Sequence, residues 1–330
     1  MKIFVTGATG FIGTHLVPKL IARGYAVTCL ARDPKKAESL AKRGAALAAG
    51  DVTDRESMRE SMRGSDAVFH LAAWYAIGIG EKDKARMHAI NVDGTRNTLE
   101  LAVELGVSKI IYTSTVAVFG NTRGRVVDET HHAPVSAMES EYERTKWIAH
   151  YEIAVPMQQQ GAPIIIVQPG SVTGPDDPTP PGRLYRLYLQ RLPIMFGAKS
   201  GLTYAHVDDI AEGHVLALEK GQIGEAYILA GPSLTFREAM QMWEKITGVA
   251  APRMWLPGWA AEGMAKLVGL LERAFGLRMT LSSEALNSLA DYTFYGSAGK
   301  ARRELGWQPR PVEETFKEAL EDWRTRNPHT

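Results

Sequence analysis

The 330-residue sequence predicts an α/β fold built on a doubly wound parallel sheet, and two observations carry that prediction. The first is the opening stretch MKIFVTGATGFIG: an apolar run from Lys2 to Thr6, then Gly7, Gly10 and Gly13, then a helix-like segment from His15 to Arg23. A strand that ends in a glycine turn and opens a helix is a phosphate-binding corner, because a helix N-terminus presents free N–H groups and positive potential. The second is rhythm. Short apolar runs at 25–30, 45–49, 67–71 and 109–113 alternate with helical stretches, the pattern of a parallel sheet covered by helices on both faces. Together they predict a Rossmann-type nucleotide-binding fold.

At the opening corner, Gly7 permits a sharp turn and Gly10 lets the backbone approach a pyrophosphate. Gly13 allows helix and strand to pack closely. The spacing is G-x-x-G-x-x-G, a departure from the general G-x-G-x-x-G fingerprint. Tyr25 to Leu30 is the second strand, and it ends in Ala31-Arg32-Asp33-Pro34-Lys35-Lys36. A carboxylate at this place holds the ribose hydroxyls of NAD, whereas Arg32 can fork onto a 2′-phosphate, with Lys35 or Lys36 adding charge. The turn therefore favours NADP, and Asp33 keeps NAD open.

The third strand, Ala45 to Ala49, runs into Gly50-Asp51-Val52, where an adenine edge would lie. Asp54 is placed to cap a helix from Arg55 to Arg63. The fourth strand, Ala67 to Leu71, passes into Ala72-Ala73, small enough for a ribose to come close, and then into Trp74 and Tyr75, which face substrate or core. A long helix is expected from Glu81 to Leu105, weakened by about 1 kcal/mol at Gly94. Lys109 to Thr113 is the fifth strand, ending in Ser114-Thr115.

The next helix carries the chemistry. Tyr142 and Lys146 are four residues apart, hence on one helical face. A tyrosine hydroxyl has an ordinary pKa of about 10, and a neighbouring ammonium lowers it toward the range useful for proton transfer. A hydroxyl from Ser114 or Thr115 can hold a substrate oxygen beside Tyr142. Pro156 in the same helical stretch predicts a kink or an early end near Val155.

Composition sets the outer bounds. Apolar residues make up 45% and charged residues 23%, which suits a sizeable core, and the length suits one large or two closely joined domains. A net charge of +1 gives no global attraction to nucleic acid or anionic membrane. The single cysteine, Cys29, sits in a strand-like run, so a reducing, cytoplasmic home is expected. The first strand begins at Lys2, so no signal peptide is expected, and no apolar run reaches the ~20 residues of a membrane span.

Past Pro175 the composition changes. Asp176 to Gly182 reads as a proline-rich loop, and Arg183 to Gln190 as a short helix carrying Tyr185 and Tyr188. His206, Asp208, Asp209 and His214 lack an established metal-ligand spacing, as does the His131-His132 pair, so no metal is expected; Asp208 reads as a helix cap. Ala226 to Ala230 is a strand that returns the chain to the sheet. Thr235 to Glu238 is a capping box opening a helix to Thr247. Met254, Trp255, Trp259, Met264 and Leu267 form an apolar region read as a substrate lid or as plain helix packing. Trp259 to Phe275 is amphipathic enough to admit contact with a membrane surface. The last helix, Val312 to Arg324, is expected on the surface.

Taken as a set, the motifs TGATGFIG, GDVTD, HLAA, NVDGT, YTSTVAVFG, Tyr142/Lys146, Gln168-Pro169-Gly170-Ser171-Val172, Gly174-Pro175 and His206-Val207-Asp208-Asp209 resemble the extended short-chain dehydrogenase/reductases, also called the NAD-dependent epimerase/dehydratase family. The ARDPKK turn resembles the dihydroflavonol 4-reductase-like branch. PDDPTPPGR, HVDDIAEGHVLALEKG and GEAYILAG resemble the hopanoid-associated sugar epimerases. The resemblance implies a nucleotide domain over 1–175, rejoined at about 203–231, and a smaller, mostly helical substrate domain over 176–202 and 232–330. It implies Thr115, Tyr142 and Lys146 as the catalytic set, with Lys146 also on the nicotinamide ribose. Gly7, Thr9, Gly10, Phe11, Ile12 and Gly13 would hold the pyrophosphate, Arg32 and Lys36 the 2′-phosphate, and Asp51 and Val52 the adenine. Leu71, Ala72, Ala73 and Thr113 would line the ribose side, and Pro169, Gly170, Ser171 and Val172 the nicotinamide amide.

Two departures bear on substrate. Many nucleotide-sugar members carry R-P-x-x-V-Y-G-P where this chain begins with Gln168, and Arg-Asp where it has Leu202-Thr203. Losing those arginines removes partners for a diphosphate. The expected activity is an NADP(H)-dependent oxidoreductase acting on a small-molecule carbonyl, alcohol or sugar. A sugar epimerase or dehydratase with retained cofactor, and a non-catalytic NADP-sensing or scaffold protein, are the alternatives. A homodimer through helices near Asp93 to Leu105 and Tyr142 to Val155 is implied by the same resemblance.

Overall fold

The computed structural model describes residues 1–189, 194–275, 282–287 and 289–327. The first part of the chain runs β1 (Lys2–Thr6), α1 (Phe11–Ala22), β2 (Ala26–Ala31), α2 (Glu38–Ala41), β3 (Ala46–Ala49), α3 (Arg55–Met62) and β4 (Ala67–His70). It continues through α4 (Glu81–His88), α5 (Gly94–Glu104), β5 (Lys109–Thr113), α6 (Glu141–Ile148), α7 (Val155–Gln159) and β6 (Ile164–Pro169). Next come β7 (Ser171–Thr173), α8 (Pro180–Leu189), β8 (Ile194–Phe196), β9 (Gly201–His206), α9 (Val207–Lys220), β10 (Ala226–Leu229) and β11 (Ser233–Thr235). The chain ends with α10 (Phe236–Thr247), β12 (Met254–Leu256), α11 (Gly258–Phe275), α12 (Ser283–Asn287), β13 (Thr293–Phe294), α13 (Gly299–Leu305) and α14 (Val312–Arg326).

Among the described residues, seven parallel strands form one sheet in the order β10-β6-β5-β4-β1-β2-β3. The chain starts at the centre and winds outward in both directions, so the order reverses between β1 and β4. That reversal opens a crevice at the carboxyl ends of the strands, where ligands of such sheets bind. Alternation supplies the two faces. Ile3, Val5, Phe69, Ile111 and Val167 pack with residues of α1, α9 and α13, while Phe4, Val68, Ile110, Tyr112 and Ile166 pack with residues of α3, α5 and the segment around α7. Burial on both faces explains why the strands read as continuous apolar runs. Cys29 lies inside the first of these cores, and burial pushes its thiol up to about 12.

Beyond the sheet, β9 pairs with β7, β11 and β13, and β12 pairs with β8. A further core joins Tyr185, Tyr188, Tyr204, Trp243, Phe316 and Leu320. The last helix is therefore half-buried, a correction to its expected surface position: Val312, Thr315, Phe316, Ala319 and Leu320 face inward and its charges face out. Helix α8 starts at Pro180 rather than Arg183, and the expected end at Gln190 lies outside the described residues.

Four other expectations are corrected. Helix α1 begins at Phe11, directly on the glycine turn. Of the kink or early end expected near Val155, the end is corrected: helical structure runs on to Gln159, because a wide π turn from Ala149 to Ala154 precedes Pro156 and places it at the start of α7. There its missing N–H and its ring conflict least with the preceding turn. An earlier π turn, Ala89–Asp93, interrupts the long helix before Gly94. Asp208 is not the cap of α9. His206 is, its ring accepting from the Asp208 N–H.

Candidate active site

The glycine corner is built by close approach. Gly7 has φ +73°, and a Cβ there would stand 2.5 Å from the Ala72 nitrogen. A Cβ on Gly13 would meet the Gly7 carbonyl oxygen at 2.4 Å. Gly13 thus lets α1 close onto the turn itself, more than onto a strand. The helix is capped by Gly10, which has no side chain to take the first N–H groups, and its first turn carries no acidic residue. Those N–H groups and the local positive potential suit an anion. The residues present therefore fit a dinucleotide pyrophosphate. Around the same edge, Arg32 and Lys36 are exposed beyond β2. The Asp33 carboxylate folds back to accept the Lys35 N–H at 3.1 Å.

Asp51 and Val52 follow β3. The Asp51 carboxylate holds Thr53, and Asn97 donates to the Val52 carbonyl at 3.0 Å, tying this loop to α5. A Cβ on Gly94 would stand 2.7 Å from Val52 Cγ2, so the glycine read as a helix weakness is what lets α5 pass this loop. Leu71 and Ala72 are half-buried and Ala73 is exposed beside the Gly7 turn. Pro169 is buried at the end of β6. Gly170 passes so close to Thr203 that a Cβ would meet its hydroxyl at 2.4 Å. Ser171 and Val172 continue into β7.

Beyond β5 the two candidate hydroxyls part ways. Ser114 is buried and bonded to His150 Nδ1 at 2.8 Å. The Thr115 hydroxyl accepts from the Ala117 N–H at 3.2 Å, and its influence on the Tyr142 phenol is to pull that pKa down. Thr113 turns its hydroxyl to His214 Nε2 at 2.9 Å, away from the crevice, and offers the site its carbonyl instead. Lys146, one turn along α6 from Tyr142, donates to that carbonyl at 2.8 Å and to the Tyr112 hydroxyl at 3.3 Å. Exposed Tyr75 packs against Tyr142 with ring centroids 4.3 Å apart.

The electrostatics differ from the sequence expectation. Burial raises the Tyr142 pKa to about 12, with the Thr115 hydroxyl pulling it down and Glu143 pushing it up. Burial also lowers Lys146 to about 7. The ammonium stands on the Thr113 carbonyl and is not what sets the phenol's pKa in this arrangement.

The match to known proteins follows the same stretch of chain. The family model described as the NAD dependent epimerase/dehydratase family covers residues 3–230. The chain belongs to that family. It is thus an enzyme of the NAD(P)-dependent reductases, dehydrogenases and epimerases, of the extended short-chain dehydrogenase/reductase type. It is 32% identical to a Synechocystis sp. protein provisionally named dihydroflavonol 4-reductase, over 96% of this chain and 93% of that one. It is 31% identical to sterol demethylase protein B of Methylococcus capsulatus over 99% of both chains. Among solved structures it resembles the crystal structure of gox2253, with a TM-score of 0.84, 34% identity and 99% coverage of each chain.

Within this epimerase/dehydratase chain the structure also brings in residues that the sequence reading gave no role. Asn91, in the first π turn, donates to the Trp74 carbonyl at 3.1 Å and to the Thr145 hydroxyl at 3.0 Å, and accepts from the Trp74 N–H at 2.7 Å. It joins the loop carrying Tyr75 to the helix carrying Tyr142 and Lys146. His70 bonds Thr6 at 2.8 Å and Thr95 at 3.0 Å, fastening β1 and β4 at the crevice; burial and the Lys146 charge lower it to about 3. A buried asparagine inside a helix was the available signal, since that residue favours caps and turns over helix interiors.

The His206-Val207-Asp208-Asp209 element is an anchor. His15 bonds Asp208 at 2.8 Å and holds its carboxyl down at about 2, while Arg310 grips Asp209 with contacts of 3.1 to 3.3 Å. The His131-His132 loop is clamped to α6 and the π turn after it by aromatic contacts, His132 lying 5.9 Å from Trp147 and 4.5 Å from Tyr151. Among the described residues, no three His, Cys, Asp or Glu side chains gather as a metal site, and no helix is long and apolar enough to cross a membrane.

Proposed function

We propose that this chain is an NADP(H)-dependent oxidoreductase that interconverts a carbonyl and a secondary alcohol. One observation carries the reading: Tyr142 and Lys146 lie one helical turn apart on α6, with Lys146 on the Thr113 carbonyl at the carboxyl end of β5 and Thr115 following that strand. Gly7 to Gly13 would hold the pyrophosphate, and Arg32 and Lys36 the 2′-phosphate. NADP is favoured over NAD because the Asp33 carboxylate is engaged in its own turn. The remaining predicted contacts would place adenine at Asp51 and Val52, ribose at Leu71 to Ala73, and the nicotinamide amide at Pro169 to Val172.

When bound, the nicotinamide supplies or takes the hydride at the substrate carbon. Tyr142 gives the carbonyl oxygen its proton during reduction and takes it back during oxidation. Thr115 donates to the same oxygen and steadies the negative charge that develops there. Lys146 holds the Thr113 carbonyl and would bind the ribose of the cofactor, bringing positive charge toward the phenol. The division into a nucleotide domain and a substrate domain over 176–202 and 232–330 puts this set at the cleft between them.

An apolar or lightly decorated substrate fits better than a nucleotide sugar. Gln168 stands where the sugar-nucleotide enzymes carry arginine, and its buried amide has no partner among the described residues. The relative named sterol demethylase protein B points the same way. A homodimer through the faces of α5 and α6 and a cytoplasmic location complete the reading.

The test is mass spectrometry of nucleotide released from the purified protein, followed by NADPH and NADH titrations of the emptied protein and of Tyr142→Phe. The reductase predicts an empty protein, a clear preference for NADPH that Arg32→Ala removes, and a Tyr142→Phe variant that binds NADPH but does not turn over. Near-stoichiometric retained nucleotide would favour the epimerase. Turnover by Tyr142→Phe would sink the mechanism.

A further inference from the structure

Tyr75 packs against the Tyr142 phenol, and the loop that carries it is fastened on both sides. On one side, Asn91 takes both backbone groups of Trp74. On the other, the Gly78 N–H donates to the Glu284 carboxylate at 2.7 Å, across 206 positions of sequence. Glu284 belongs to α12, in the part of the chain proposed as the substrate domain.

The second fastening is a close-packed joint as well as a hydrogen bond. Gly78 has φ +71°, and a Cβ there would stand 2.1 Å from the Ser282 hydroxyl. Both the left-handed backbone and the contact require glycine. The Ser282 hydroxyl accepts the Ala285 N–H at 3.2 Å, so the start of α12 lies directly on the loop. Gly78 and Glu284 also line a cavity of about 1010 Å³, to which α11 contributes Glu262, Ala265 and Lys266.

Glu284 acts on the helix of Tyr142 too. Burial pushes its carboxyl up, against the pull of the Gly78 and Glu141 N–H groups. Glu141 opens α6, and a carboxylate is favoured at the start of a helix. The Glu141 side chain is itself turned onto Arg144 at 3.1 Å, which offsets the like charge. One carboxylate thus joins α12 to two elements whose tyrosine rings meet with centroids 4.3 Å apart. Half-buried near Glu141 and Glu143, it is a poor choice for stability alone, and its use is the joint it makes.

We propose that Glu284 is a positioning residue for Tyr142: it holds Gly78, and thereby Tyr75, against the amino end of α6. The place of the phenol is then set from α12 as well as from Asn91. The inference rests on the proposed reaction for the part Tyr142 plays, whereas the placement of the ring is a property of the protein alone.

The test puts fluorotyrosine at position 142 of the full-length protein and reads its fluorine resonance. Hydrogen exchange is followed over the loop from Tyr75 to Gly80. Glu284→Ala shifts and broadens the resonance and speeds exchange at Gly78 roughly tenfold, the scale of one lost hydrogen bond. Glu284→Gln keeps a carbonyl oxygen for the Gly78 N–H and holds the resonance at its wild-type position. Ser283→Ala, on the same helix but bonded to Glu272, leaves the signal where it was. A resonance that Glu284→Ala does not move overturns the proposal. So does an equal shift in Glu284→Gln, since charge and not the hydrogen bond would then act. An equal shift in Ser283→Ala overturns it as well, since any loosening of α12 would suffice. None of these readings needs turnover, so a failure of the reductase reading shows in the nucleotide and turnover measurements and leaves this result intact.

Discussion

Gly7 shows at the scale of one residue how backbone geometry makes the site. Its φ of +73° and the 2.5 Å approach to the Ala72 nitrogen leave no room for a side chain. Gly7→Ala is expected to destabilise the protein by about 1–3 kcal/mol and to abolish tight NADPH binding, checked by urea unfolding and fluorescence titration. Lys146 makes the opposite kind of statement, because a charge is held where water is scarce. Its folded pKa, about 7, lies below the ordinary lysine value near ~10.4. The unfolded chain therefore binds the proton more readily, and stability rises with pH across the window between those values. The penalty of burying the ammonium is fully present below about pH 7 and gone above the unfolded value. Lys146→Met should accordingly raise the melting temperature of the cofactor-free protein near neutral pH, and the gain should shrink as the pH approaches about 10. A gain that grows with pH would contradict the assignment.

Between elements, the positioning of the phenol depends on π turns that no periodicity announces. The turn Ala89–Asp93 rotates Asn91 inward so that one amide reaches both the Trp74 backbone and Thr145 on α6. Removing it leaves buried backbone groups unpaired and frees the Tyr75 loop from the catalytic helix. Asn91→Ala should lower kcat by roughly 10- to 100-fold, the scale of a small misplacement, while NADPH affinity changes little. Equal losses in NADPH affinity and kcat would mean the residue serves the cofactor site instead. The second π turn, Ala149–Ala154, does comparable work for Pro156 and also turns His150 toward Ser114, which leaves Thr115 as the hydroxyl that acts on the Tyr142 phenol. From sequence, Ser114 and Thr115 were indistinguishable by chemistry. The winding of a helix far along the chain separates them.

Across the whole molecule, α9 fastens the two ends of the chain together. Its first turn binds α1 through the His15–Asp208 contact and the segment before α14 through Arg310 on Asp209. Trp307 donates to the Asp209 carbonyl at 2.7 Å and is packed into the core beneath the sheet. Arg310→Ala should destabilise the protein by about 2 kcal/mol, given several hydrogen bonds to one carboxylate at a partly exposed site. Urea unfolding checks this, and the variant's NADPH affinity should stay near that of the wild type. Asp208 and Asp209, for which sequence spacing indicates no metal role, make this joint, and short-range spacing says nothing about a partner a hundred residues away.

The sequence by itself determined the sheet, its winding and the glycine corner, since short apolar runs, glycine turns and helix caps are local consequences of side-chain chemistry. It also determined that Tyr142 and Lys146 share a helical face, which needs only the pitch of a helix. Tertiary structure alone decided what those groups do to one another. It put Lys146 on the Thr113 carbonyl, sent the Thr113 hydroxyl to His214, and gave Asn91 and His70 their positioning work. It also decided that one face of α11 lines a cavity while the other meets solvent. Contacts of this kind join residues dozens to hundreds of positions apart, and pKa values follow from burial, so neither is written in any local stretch of the chain.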